Sequence, residues 1–143
     1  MTLRPGHIET KPYLFDTDGI AAFATLAGDP NPLHHDGAVA GASRFKGLIA
    51  SGPQMSAVLM ALSAQMVARA HESVGLEFTF RFQRAIPAGT LTMLSWLVVS
   101  AEPHAKLSGT LLKLEGAITG DDGKRYVSAT GKAVVWDLQP AQS

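Results

Sequence analysis

The chain has 143 residues, 46% hydrophobic and 17% charged, a composition that suits one domain with a substantial core. Its 12 basic and 12 acidic side chains cancel to a formal net charge of zero, which lacks the basic footprint of a nucleic-acid binder. There is no cysteine, so disulfides, thiolate nucleophiles and thiolate zinc sites are excluded.

So little charge leaves apolar surface to hide, and a homodimer or larger homo-oligomer is expected. The N-terminal stretch MTLRPGHIETKPYLF has no apolar core that would serve as a signal peptide. The longest helix-like apolar stretch, Met55 to Ala70, is too short and too polar to span a bilayer. The expected address is the cytoplasm, away from the membrane. No internal repeat, low-complexity tract or linker divides the chain, so residues 1–143 are expected to form a single domain.

In chain order, the first dozen residues read as a loose lead-in strand. Asp16 is a helix N-cap for TDGIAAFATLA, and Gly28 ends that helix. Asp29-Pro30-Asn31-Pro32 follows, where two prolines forbid regular structure and fix an extended loop. His34 and His35 close the loop, and Asp36 caps a short helical turn through DGAVAGAS. Pro53 is expected to open a helix running to about Ala70. Met55, Leu59, Leu62 and Met66 form one apolar stripe, and the remaining Ala, Val and Met residues widen it almost all round, so deep burial is expected. After Gly75, the alternation Leu76 to Phe82 predicts a half-buried strand. Pro87-Ala88-Gly89 is a turn. Thr90 to Ala101, Gly109 to Thr119 and Arg125 to Asp137 read as three longer strands, the last two joined by the hairpin loop Gly120 to Gly123. One buried helix followed by a four-strand antiparallel meander gives an α+β domain.

Chemistry concentrates in Gly28-Asp29-Pro30-Asn31-Pro32-Leu33-His34. A carboxylate and an imidazole stand on one proline-braced loop, and histidine titrates near neutral pH. Stiffness suits groups that must be held with little freedom. The same string also reads as an ordinary turn, since Asp, Asn and Pro are turn residues, and Asn31 reads better as loop support than as a catalyst. A metal site at His34, His35, Asp36 and Asp29 is disfavoured, because consecutive histidines rarely converge on one ion. His7, His71 and His104 are expected to be solvated. Phe78, Phe80 and Phe82 share one strand face, where core or interface packing explains them.

The loop motif, with Ala40 following His34, resembles the hydratase motif of the MaoC-like dehydratases, a family that includes the (R)-specific enoyl-CoA hydratases. The likeness extends to Gly47-Leu48-Ile49-Ala50-Ser51-Gly52, to Phe80 through Leu91 and to Gly131-Lys132-Ala133-Val134-Val135. It implies the hot-dog fold, a long central helix wrapped by an antiparallel sheet. It also implies that Asp29 and His34 activate water for reversible hydration of a 2-enoyl thioester to an (R)-3-hydroxyacyl thioester, with neither residue assigned as acid or base. Gly52 matches the glycine whose backbone N–H holds the thioester carbonyl, in keeping with free N–H groups at a helix start. No cofactor is implied beyond the coenzyme A or acyl carrier of the substrate. Arg44, Lys46 and Arg84 are candidate contacts for coenzyme A phosphates, with solvated surface charge as the alternative.

Three positions depart from that pattern. Ser51 stands where His is often found, Pro53 where a bulky apolar residue is common, and Met60 near a position often polar, with Ser56 and Ser63 as alternatives. The rival expectations are a hot-dog acyl-CoA thioesterase, which the Asn-Pro-x-His segment disfavours, and a non-catalytic acyl-binding subunit, which the presence of both Asp29 and His34 disfavours.

Overall fold

The computed structural model describes residues 3–137; residues 1–2 and 138–143 of the expected single domain lie outside them. Among the described residues, three α-helices and five strands run in the order β1 (Ile8–Phe15), α1 (Thr17–Ala27), α2 (Gly37–Ala42), α3 (Gly52–Ala68), β2 (His71–Phe82), β3 (Thr90–His104), β4 (Gly109–Gly120) and β5 (Arg125–Asp137). The caps are those the sequence specifies. Asp16 accepts from Gly19 N–H at the head of α1, and Asp36 accepts from Ala38 and Val39 N–H at the head of α2. Gly28 ends α1 in the left-handed region at φ 76°, which a side chain would resist.

The sheet is antiparallel throughout, in the order β1-β3-β4-β5-β2. This corrects the expected four-strand meander. Only β3, β4 and β5 form one; β2 pairs with β5 at the far edge, and the lead-in segment is a full strand on β3. The reason lies in the connection after β2. Its hydrogen-bonding groups turn to the chain ahead of α3, with Ala50 N–H donating to Ile86 O and Ala88 N–H to Leu48 O. A segment committed to those partners cannot close a tight hairpin between β2 and β3.

α3 lies on one face of the sheet, and the core sits between them. Trp96 on β3 is fully buried, and its indole N–H donates to Leu59 O of α3 at 2.7 Å. Gly116 on β4 lies beneath it, where a Cβ would come within 2.7 Å of the ring. Phe78 meets Trp96 edge-on, with centroids 5.8 Å apart.

Two further expectations fail. Burial of α3 is one-sided, because Met60, Ala61, Ala64 and Gln65 face outward while Leu59, Leu62, Ser63, Met66 and Val67 face the sheet. His71 is buried, not solvated: it opens β2 opposite Asp137 in β5, with Nδ1 3.4 Å from the Asp137 carboxylate. Among the described residues no helix is long and apolar enough to cross a membrane.

β1 is pinned to the end of α3 by charge. Arg69 donates to Glu9 Oε1 at 2.6 Å, and His7 Nε2 lies 3.1 Å from the same oxygen. The Arg69 guanidinium chiefly, with His7, holds the Glu9 carboxyl below its ordinary value against partial desolvation. A depressed folded pKa contributes stability above the ordinary carboxylate value, and that contribution disappears as pH falls through the folded value. Between about pH 6 and about pH 3, urea midpoints should fall further for the wild type than for Glu9→Gln. Equal losses would show that the cluster adds nothing to stability.

Candidate active site

The helix end at Gly28 delivers Asp29 to its place. Gly28 N–H donates to Thr25 O at 3.1 Å and Asp29 N–H to Ala24 O at 2.8 Å, so the residue after the cap leaves α1 in a fixed direction. The loop then braces itself. Asp29 Oδ1 accepts from Asn31 N–H and Asn31 Oδ1 from Leu33 N–H, both at 3.0 Å. A single 3₁₀ turn, Pro32–His34, carries the imidazole inward.

His34 is held from behind. Its Nδ1 lies 2.7 Å from Ile49 O, and Ile49 N–H donates back to Leu33 O at 3.1 Å. A carbonyl only accepts, so Nδ1 carries the hydrogen and Nε2 of the neutral ring is a bare acceptor. That nitrogen faces Asp29 Oδ2 at 3.6 Å, too far for a good direct hydrogen bond and close enough for one water to touch both. The imidazole is 7% exposed and the carboxylate 28%, so the pair is buried on the histidine side and open on the other. Two acceptors facing one water take its hydrogens and leave an oxygen lone pair free.

Three residues beyond Ile49, α3 begins. Ser51 is its N-cap, with Oγ accepting from Gln54 N–H at 3.2 Å and its carbonyl accepting from Met55 N–H at 3.1 Å. The helix therefore starts at Gly52, one residue before the expected Pro53. Pro53 has no N–H. Among the described residues, Gly52 N–H is thus the one donor of positions 52–55 without a protein acceptor. Gly52 has no positive φ, and the nearest atoms a Cβ there would meet belong to the Phe82 ring, at an ordinary 3.6 Å or more. The fold itself does not require glycine at this position.

The family model for the MaoC like domain matches residues 5–115. The chain belongs to the MaoC-like domain family. Among solved structures it resembles an (R)-hydratase of A. caviae involved in PHA biosynthesis, at 23% identity and a TM-score of 0.82 over 92% of this chain and 96% of that one. It resembles R-hydratase PhaJ1 of Pseudomonas aeruginosa at 21% identity and a TM-score of 0.81, over 99% and 90% of the two chains. It also resembles the MaoC-like dehydratase of Rhodospirillum rubrum at 23% identity and a TM-score of 0.78, over 97% and 96%. These likenesses show the hot-dog fold. No curated protein sequence matches the chain.

In this MaoC-like chain, Asp29 and His34 face one another, and Asn31 supports their loop. The three basic candidates are all exposed but differ in place. Leu48 bonds with Ala88 and Ala50 with Ile86, a ladder that runs toward Gly52 on one strand and Arg84 on the other. Lys46 lies beyond its opposite end, and Arg44 lies 5.6 Å over the Phe45 ring. Ser56 and Ser63 donate to their own helix, to Gly52 O and Met60 O, and Met60 points outward. Among the described residues no three His, Asp or Glu side chains converge as metal ligands.

The loop holds a further contact that sequence reasoning missed: His35 Nε2 lies 2.8 Å from Asp29 O and clamps the backbone of the Asp29–His34 loop. Nothing in the spacing of His35 marks that partner, because the loop's curvature creates it. Gln54, fully buried and donating to Tyr13 OH at 3.3 Å, was likewise unmarked. Ser51→Ala should lower stability by about 1 kcal/mol, the usual value of an N-cap, in chemical denaturation. An unchanged midpoint would deny Ser51 that role.

Proposed function

We propose that this chain is a hydro-lyase that reversibly hydrates 2-enoyl thioesters to (R)-3-hydroxyacyl thioesters, acting on acyl-CoA or acyl-carrier substrates in the cytoplasm without any other cofactor. The observation that carries it is the bare Nε2 of His34 facing Asp29 Oδ2 at 3.6 Å. Water held between them gives one hydrogen to each. Its oxygen bonds to the β-carbon, and one proton passes to the pair. The displaced electron pair moves onto the thioester oxygen, and the proton returns to the α-carbon as the enolate collapses. Atoms and charge balance with no further reactant.

Gly52 N–H is the donor we assign to that oxygen. It lies at the positive end of α3, with no protein acceptor among the described residues, and the missing side chain lets a substrate approach the backbone. The chain between Ile49 and Gly52 spans at most about 11 Å, so the acid–base pair and the donor sit within one substrate's reach. Arg84, two residues before the Ile86 whose carbonyl receives Ala50 N–H, is the basic side chain we favour for carrier phosphates. We further infer that a second copy covers the outward face of α3 and the edge strand β2. Met60, Val74 and Leu76 expose apolar surface there, and β2 leaves one row of backbone groups unpaired.

With crotonyl-CoA, enoyl absorbance should fall while no free thiol appears. Asp29→Asn and His34→Ala should each lower turnover by about a hundredfold to ten-thousandfold. Thiol release without hydration would identify a thioesterase instead, and inertness toward enoyl thioesters would favour a binding subunit. Gly52→Ala should fold with an undiminished melting temperature yet lose turnover by about tenfold or more; full activity would remove Gly52 from the site.

A further inference from the structure

β2 turns Phe78, Phe80 and Phe82 toward the helix side, and the three rings do different things. Phe78 and Phe80 stack at 6.4 Å and pack against the core. Phe82 does not join that core and is 51% exposed. Its ring lies over the start of α3. A methyl group on Gly52 would meet Cζ at 3.6 Å, Cε1 at 3.8 Å and Cε2 at 3.9 Å, so the face of the ring, at its Cζ end, covers the side of Gly52 that a Cβ would occupy. An aromatic side chain that contributes little to the core therefore stands beside the helix-start N–H that has no acceptor among the described residues.

We propose that Phe82 is a specificity-determining residue that excludes substituents on the α-carbon of the substrate. The inference rests on the function proposed above. A carbonyl oxygen bonded to Gly52 N–H lies about 2.9 Å from that nitrogen. In that placement the two neighbours of the carbonyl carbon, the sulfur and the α-carbon, are the substrate atoms nearest the ring. Sulfur is the same in every thioester and bears one chain. The atom that varies at this distance is the α-carbon, which carries either hydrogen or a branch. The ring tip has no polar atom, so its effect there is steric.

The test compares kcat/KM for crotonyl-CoA and 2-methylcrotonyl-CoA in the wild type, Phe82→Leu and Phe82→Ala, with solution mass measured alongside. The wild type should favour the unbranched substrate. Phe82→Ala should shift the ratio toward the branched one by about tenfold or more, the usual discrimination for one carbon in an apolar pocket, with Phe82→Leu between. A ratio that stays fixed while crotonyl-CoA is still hydrated overturns the inference and leaves the proposed function standing. A fixed ratio with an altered solution mass assigns the ring to a subunit contact and also overturns it. Failure of the wild type to hydrate either substrate removes the proposed function, and this inference with it.

Discussion

One residue, Ile49, ties the candidate site together. Its N–H donates to Leu33 O and its carbonyl receives His34 Nδ1–H, so the loop that carries Asp29 and His34 is bound to it twice. The residues on either side of it, Leu48 and Ala50, bond to Ala88 and Ile86 in the connection that follows β2. Just beyond lies the first turn of α3. Loop, helix start and strand connection are thus fixed to one short stretch. The loop and the strand connection have no long helix or strand of their own there, and ordering them costs conformational entropy that these bonds offset. The bond to Ile49 O also sets the tautomer of His34, and with it which nitrogen can accept a proton.

The head of α3 shows how a helix can be left with a single free donor. A helix start ordinarily presents several unpaired N–H groups. Here Ser51 satisfies those of Gln54 and Met55, and proline at 53 has none. What remains is Gly52. Ser51 and Pro53 therefore have a local physical role: they define which backbone group is open. A fixed donor costs no reorganisation when charge develops in front of it. The same logic explains why Ser56 and Ser63 add nothing obvious to the site, since both hydroxyls are turned onto their own helix.

Much of this was legible from residues in local relation to one another. Asp16, Gly28 and Asp36 mark helix ends by interactions within a few residues, and the observed α1 and α2 follow them. The motif from Asp29 to His34 is likewise local, and so is Asn31's turn. Strand order was not legible. β2 pairs with β5 across some fifty residues of chain, and that choice depends on where 83–89 finds its hydrogen bonds. Alternation predicts that Leu76 to Phe82 is a strand, not which edge it takes. The apolar abundance of α3 suggested burial all round, but a single sheet covers one side only. His71 looked solvent-bound as an isolated histidine, whereas its place opposite Asp137 buries it. The Ile49 carbonyl and the His35 clamp could not be found from side-chain chemistry, because each involves a backbone oxygen brought close by the fold.

The central claim is that Asp29 and His34 act as a unit on one water. Residues that act as a unit are not additive: losing either should remove most of what both provide. The most direct measurement is crotonyl-CoA hydration by the Asp29→Asn/His34→Ala double variant beside each single variant. The account predicts that the double variant is about as slow as the slower single. Losses that multiply would mean two independent contributions and would contradict it.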